Sequence, residues 1–117
     1  MDFLALLITI LILDSLWINL FFVYRFSPMI QSVQNSLMVV NQFYFIFTYV
    51  IFALLLYIVL PKSTSIQETF LIGLLIFAIY DFTNLATLKN WDLSNAIMDS
   101  GWGGVLVASV YALLVQQ

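Results

Sequence analysis

The chain has 117 residues, of which 64% are hydrophobic and 8% charged, with a formal net charge of −3. A typical soluble domain is about 25% charged, so three basic and six acidic side chains cannot coat a water-facing surface, and lipid is the solvent that accepts this one. The absence of cysteine and histidine excludes disulfides, thiolate sites and the commonest neutral-pH base and metal ligand, while Arg25, Lys62 and Lys89 are too few to form a nucleic-acid surface.

The length suits a single transmembrane domain over residues 1–117, because four spans of about 20 residues with short loops use nearly all of it. The first span is predicted over residues 3–24 and ends where Arg25, Ser27 and Pro28 interrupt the apolar pattern. It lacks a basic leading segment and carries Asp14 at its centre, so it reads as a retained helix and not as a cleaved signal. Residues 25–40 are mixed, with part expected as a short interfacial helix. The second span, 41–60, stops at Pro61. Ser65 and Glu68 have capping-box spacing ahead of the third span, 67–88. Lys89 to Asp92 form a tight turn, and the fourth span covers 93–115. Tyr24, Tyr44, Trp91 and Tyr111 fall near span ends, where aromatic belts sit.

Short loops make consecutive spans antiparallel, so the expected fold is an all-α, integral membrane four-helix bundle with up-down-up-down topology. The termini and loop 61–67 then share one side and loops 25–40 and 89–92 the other. Arg25 and Lys89 against Lys62 assign loops 25–40 and 89–92 to the cytoplasm.

Asp14, Asp81 and Asp99 lie within spans. A carboxylate at bilayer depth costs roughly 2.5–3.5 kcal/mol on insertion scales, and no basic residue lies mid-span to neutralise one. The consequences are shared protons, a bound cation, or hydrogen-bonded packing between helices. At 1.5 Å rise per residue, Asp81 and Asp99 sit roughly 10 Å, and Asp14 roughly 15 Å, from the 25–40 and 89–92 side. Asn19, Asn84, Thr87 and Asn95 share that half, whereas 4–13, 52–60, 71–79 and 105–115 are almost purely apolar. The pattern is a polar pocket open to one side. On the third helix Tyr80, Thr83, Asn84 and Thr87 share a face with Asp81 at its edge. Asp14-Ser15-Leu16-Trp17 is echoed by Asp99-Ser100-Gly101-Trp102 on a helix of opposite direction, a match too short to argue duplication but suited to setting two Asp/Trp pairs face to face. Gly101, Gly103 and Gly104 beside Asp99 either allow close packing of a neighbouring helix, the commoner reason for such a run, or let the helix distort around a ligand.

These segments resemble a family of small bacterial inner-membrane proteins defined as a domain of unknown function, number 2177. The resemblance rests on Asp14-Ser15-Leu16-Trp17-Ile18, on Phe43-Tyr44-Phe45 leading to Leu60-Pro61, on Tyr80 to Leu88 followed by Trp91, and on Asp99-Ser100-Gly101-Trp102-Gly103. It covers essentially the whole chain and implies a four-span bundle in the inner (plasma) membrane with an Asp-, Asn- and Trp-lined site. It implies no activity. The loop after the first span is less basic here than in that family.

The candidate site is Asp14, Trp17, Asn19, Tyr80, Asp81, Asn84, Thr87, Asp99 and Trp102. The favoured function is a small transporter or channel-like protein for protons, cations or a small polar solute, working as a homo-oligomer in the lipid bilayer. A membrane-embedded enzyme acting on a lipid or isoprenoid, with paired acids as acid and base or as a Mg²⁺ site, is the second class. A non-catalytic subunit whose Trp17, Trp102 and Tyr80 box a cation or flat ligand is the third. The sequence names no cofactor and no metal.

Overall fold

Each helix begins at a side chain suited to cap it. In the computed structural model, which describes residues 1–116, Asp2, Asn41, Ser65 and Asp92 accept the backbone N–H three residues ahead. These caps start α1 (Phe3–Gln34), α2 (Gln42–Lys62, ending in a 3₁₀ turn), α3 (Ile66–Thr87) and α4 (Leu93–Leu114). The starts agree with the sequence reading to within a residue. Glu68 does not complete the capping box; its carboxylate accepts from Thr64 Oγ1 at 2.9 Å.

The described residues are 84% helix without a strand, and all four helices are long and apolar enough to cross a bilayer. The molecule extends 46 Å along its longest axis, matching the roughly 40–45 Å of a bilayer with its headgroups. Connections 35–41 and 88–92 lie on one side, and the termini with residues 63–65 on the other.

The end of α1 differs from the sequence reading. The helix does not stop at Arg25–Pro28 but continues to Gln34, through a π turn at Ile18–Phe22. The π turn is marked by Val23 N–H donating to the Ile18 carbonyl. Pro28 withholds one N–H from the ladder, yet Phe26, Met29, Ile30 and Val33 repeat at helical spacing and pack with Trp91 and Ala96. That buried stripe holds the segment helical where its polar residues suggested a loop. Asn35, in the left-handed region at φ 58°, ends it.

α3 and α4 pack most intimately, because Gly73 and Gly103 let their backbones meet. A Cβ built on Gly73 overlaps the Gly103 carbonyl, and one on Gly103 overlaps Phe77 and the Gly73 carbonyl. This contact sets the rotation of α3 so that Thr69, Gly73 and Asp81 face α4. The face expected from sequence is therefore corrected: Asp81 stands at its centre, while Thr83 and Thr87 turn outward and bond the carbonyls of Ile79 and Thr83.

α2 is buried only along its later half, at Ala53, Leu56 and Leu60. These pack with Leu6, Ile10, Leu106, Val107 and Val110 into a dry core on the terminal side. Its first half, Phe43 to Phe47, is exposed. α2 therefore diverges from the bundle towards the 35–41 connection. Of the residues expected in aromatic belts, Tyr24 and Tyr44 are exposed, but Trp91 and Tyr111 are buried.

Candidate functional site

Asp14 and Trp17 sit three residues apart on α1, as Asp99 and Trp102 do on α4, so each pair shares a helix face. Antiparallel packing then crosses them. Trp102 Nε1 donates to Asp14 Oδ1 at 2.8 Å, and Trp17 Nε1 donates to Asp99 Oδ1 at 3.1 Å. The two indoles stack between the carboxylates, with centroids 5.2 Å apart and planes 3° apart. Tyr49, on α2, donates its hydroxyl to Asp14 Oδ2. Both Asp14 oxygens are thus bonded within the protein, and Asp99 has one oxygen bonded by Trp17.

Asp81 is fully buried, and among the described residues no N–H or O–H donor bonds either of its oxygens. It faces a second acid, Asp99, and stands beside the Trp91 indole. Trp91 Nε1 is also buried without a partner among the described residues. Buried polar groups are bonded in the great majority of structures, so the pair marks this region as unusual.

A pocket of about 630 Å³ fills the space left by the divergence of α2. It lies between α1, α2 and α3 beneath Met38 and Val40 of the 35–41 connection. Its walls are chiefly apolar, including Ile18, Phe22, Phe45, Phe52 and Phe77, and its polar groups are Asp14, Asp99, Tyr49, Thr48, Tyr80 and the Trp17 indole. An apolar cavity with a few convergent polar groups is the usual form of a small-molecule site.

The nine sequence candidates divide on this geometry. Asp14, Trp17, Asp99 and Trp102 form the crossed cluster, and Asp81 adjoins it. Tyr80 lines the pocket and meets Trp91 edge-on at 6.0 Å, with half-buried Asn84 beside it. Asn19 and Thr87 stand apart, exposed and bonded to backbone carbonyls of their own helices, Asn19 to Ser15 at 2.7 Å and Thr87 to Thr83 at 2.8 Å. A short polar side chain in lipid meets a backbone acceptor four residues back more readily than a distant partner.

Tyr49 was not among the candidates, because nothing in its local sequence separates it from the other aromatics of α2. The Arg25–Asn95 pair was also missed. Arg25 Nε donates to Asn95 Oδ1 at 3.1 Å, and Asn95 Nδ2 donates to the Arg25 carbonyl at 3.0 Å. Arg25 also lies over the Phe21 ring at 5.8 Å. The cation of α1 is therefore engaged with a neutral amide and an aromatic face.

No curated protein and no solved structure gives a significant match. A family model described as predicted membrane protein (DUF2177) matches residues 1–115. With four helices of membrane-spanning length and that match over nearly its whole length, the chain is an integral membrane protein belonging to the DUF2177 family.

Proposed function

We propose that the protein is a small membrane carrier for an amphiphilic solute, whose apolar body sits in the pocket and whose cationic or hydroxyl-bearing end meets Asp99. The observation that carries this reading is the pairing of about 630 Å³ of chiefly apolar space with two carboxylates and no basic side chain in its lining. Apolar walls match an apolar body. Asp99 retains an oxygen that Trp17 does not bond, so it can accept a hydrogen bond from the solute. A bare ion fits less well, because the terminal half is closed by Leu6, Ile10, Leu56 and Val107, each fully buried. α2, packed in that terminal half and tied at mid-depth by the Tyr49–Asp14 bond, has its first two turns exposed, and these supply the wall best suited to move. In this reading the membrane is a bacterial inner membrane, the 35–41 and 88–92 side is cytoplasmic, and a protein this small works as a homo-oligomer.

The test uses the protein in lipid nanodiscs, titrated with a medium-chain primary amine, the matching alcohol and the matching carboxylic acid while tryptophan fluorescence is followed. Trp17 lines the pocket, so occupancy changes its emission. The amine and the alcohol are expected to give saturable changes and the acid none; Asp99→Asn removes the preference for the amine, and Ile76→Trp blocks all binding. Equal responses to the acid and the amine, or no saturable response to any of the three, would overturn the reading. Uptake of the bound compound into proteoliposomes, absent with Ile76→Trp, separates a carrier from a binding protein.

A further inference from the structure

We propose that Asp81 is a buried proton-holding site behind the pocket, donating its carboxyl hydrogen to Asp99, so that a cation docking on Asp99 exchanges for that proton. The exchange half rests on the binding role proposed for Asp99; the proton-holding half does not.

Asp81 is fully buried, and among the described residues neither of its oxygens has a donor. An ionised carboxylate in such a position forgoes water without compensation, which is far more costly than burying the neutral acid. The group that faces it, Asp99, is also an acid. Two carboxylates at close quarters do not both ionise in a low-dielectric site. One proton between them removes both difficulties, because an Asp81 hydroxyl then donates to an Asp99 oxygen.

The surroundings decide which acid keeps the hydrogen. Asp99 accepts an N–H from Trp17 at 3.1 Å, whereas the Trp91 indole beside Asp81 makes no bond of hydrogen-bonding geometry to it, so Asp81 is the acid with no donor to satisfy its oxygens. The other groups around the pair are Tyr80 of α3, Asp14 of α1, Tyr49 of α2 and the Trp91 indole. Arg25 is turned to Asn95 and supplies no counter-charge. Asp14 is taken up on both oxygens by Trp102 and Tyr49.

Asp99 lines the pocket, whereas Asp81 does not, so the proton is held one layer away from the solute. An ammonium group that docks on Asp99 competes for the oxygen that the Asp81 hydroxyl occupies, and its charge favours ionisation of both acids. The balance is one cation bound and one proton released, with no bond formed or broken other than O–H. A neutral alcohol makes the same contact and releases nothing.

The proton is read directly by infrared spectroscopy of protein carrying ¹³C-carboxyl aspartate, in nanodiscs at neutral pH. A protonated carboxyl C=O stretch is expected, moved by the label, lost in Asp81→Asn and retained with a shifted position in Asp99→Asn. Asp81→Asn mimics the neutral acid in shape, so it is expected to fold; should it fail to, Asp99→Asn decides, since loss of the band there assigns the proton to Asp99 and overturns the proposal. Absence of the band from the unsubstituted protein overturns it as well. In weakly buffered solution the amine of the binding test is expected to release about one proton per molecule bound, and the alcohol none. Amine binding without release overturns the exchange. If the band is present but no amphiphile binds, Asp81 still holds a proton and it is the carrier reading that fails.

Discussion

Trp17 and Trp102 stack with their planes 3° apart, each donating its indole N–H to the aspartate of the other's helix. The two bonds and the stack form one unit between α1 and α4, and its parts are not independent. Hydrogen bonds to charged acceptors contribute about 1.5–3 kcal/mol, and aromatic stacking about 0.5–1.5 kcal/mol. Trp17→Phe and Trp102→Phe are each expected to lower stability by about 1–3 kcal/mol, and the double variant by clearly less than their sum, because each single change already disturbs the shared stack. Reversible denaturation in mixed micelles measures this. Strict additivity would show that the crossed bonds act separately.

Gly73 and Gly103 make a second, sharper prediction. Gly73→Ala or Gly103→Ala places a methyl group against backbone of the facing helix, which has no rotamer with which to yield. Each is expected to destabilise by about 1–3 kcal/mol or more, as overpacking does. Gly101→Ala meets nothing within 4 Å, and alanine's helix propensity is better by about 1 kcal/mol, so this change is expected to be neutral or stabilising. Thermal unfolding of the three variants side by side checks the contrast. A similar loss for Gly101→Ala would mean that this face is covered.

The span count, the helix starts and the antiparallel order were legible because they depend on hydropathy, breakers and caps, all local. The crossing of the Asp/Trp pairs was also within reach, since identical spacing on antiparallel helices brings each acid opposite the other's indole. The rotation of α3 was not. Between Phe70 and Ile79 that helix is apolar on every side, so no stripe orients its middle and the polar face of its last turns misleads, while the Gly73–Gly103 contact decides instead. The continuation of α1 was written in Phe26, Met29, Ile30 and Val33, but Pro28 and the glutamines outweighed that stripe in a reading based on breakers. Tyr49 was invisible for a different reason: its role exists only once α2 lies against α1.

The segment after the π turn is held by tertiary contacts more than by its own propensity, which gives a third prediction. Asn95 joins it to α4 through two hydrogen bonds with Arg25, while Met29 and Phe26 pack on Trp91. Asn95→Ala removes both bonds and leaves the Arg25 side chain without that partner. Amide exchange by mass spectrometry is expected to rise over residues 26–34 and to stay unchanged over 3–13. Uniform acceleration along α1 would mean that the helix opens as one unit and that the π turn does not divide it.

Asp14 and Asp99 look equivalent in sequence but respond differently to the same substitution. Asp14 accepts from two donors, Trp102 and Tyr49, one on each oxygen. Replacing it with asparagine sets an amide NH₂ against one of those donors in a place without water, a conflict of about 1–3 kcal/mol. Asp99 accepts from Trp17 on one oxygen and faces the acid Asp81 on its other side. An amide there keeps an acceptor for Trp17, and a neutral Asp81 can turn its carbonyl oxygen to accept from the new NH₂ at the loss of its own hydroxyl's acceptor, so Asp99→Asn is expected to cost less than Asp14→Asn but more than nothing. Tyr49→Phe supplies the control, because removing the hydroxyl frees one side of position 14. Combined with Asp14→Asn, it is expected to recover part of the loss, while adding a loss of its own to Asp99→Asn. Unfolding free energies for these five variants settle the order. If Asp99→Asn proved the more damaging, the acceptor lost to the Asp81 hydroxyl would outweigh the conflict of donors at position 14.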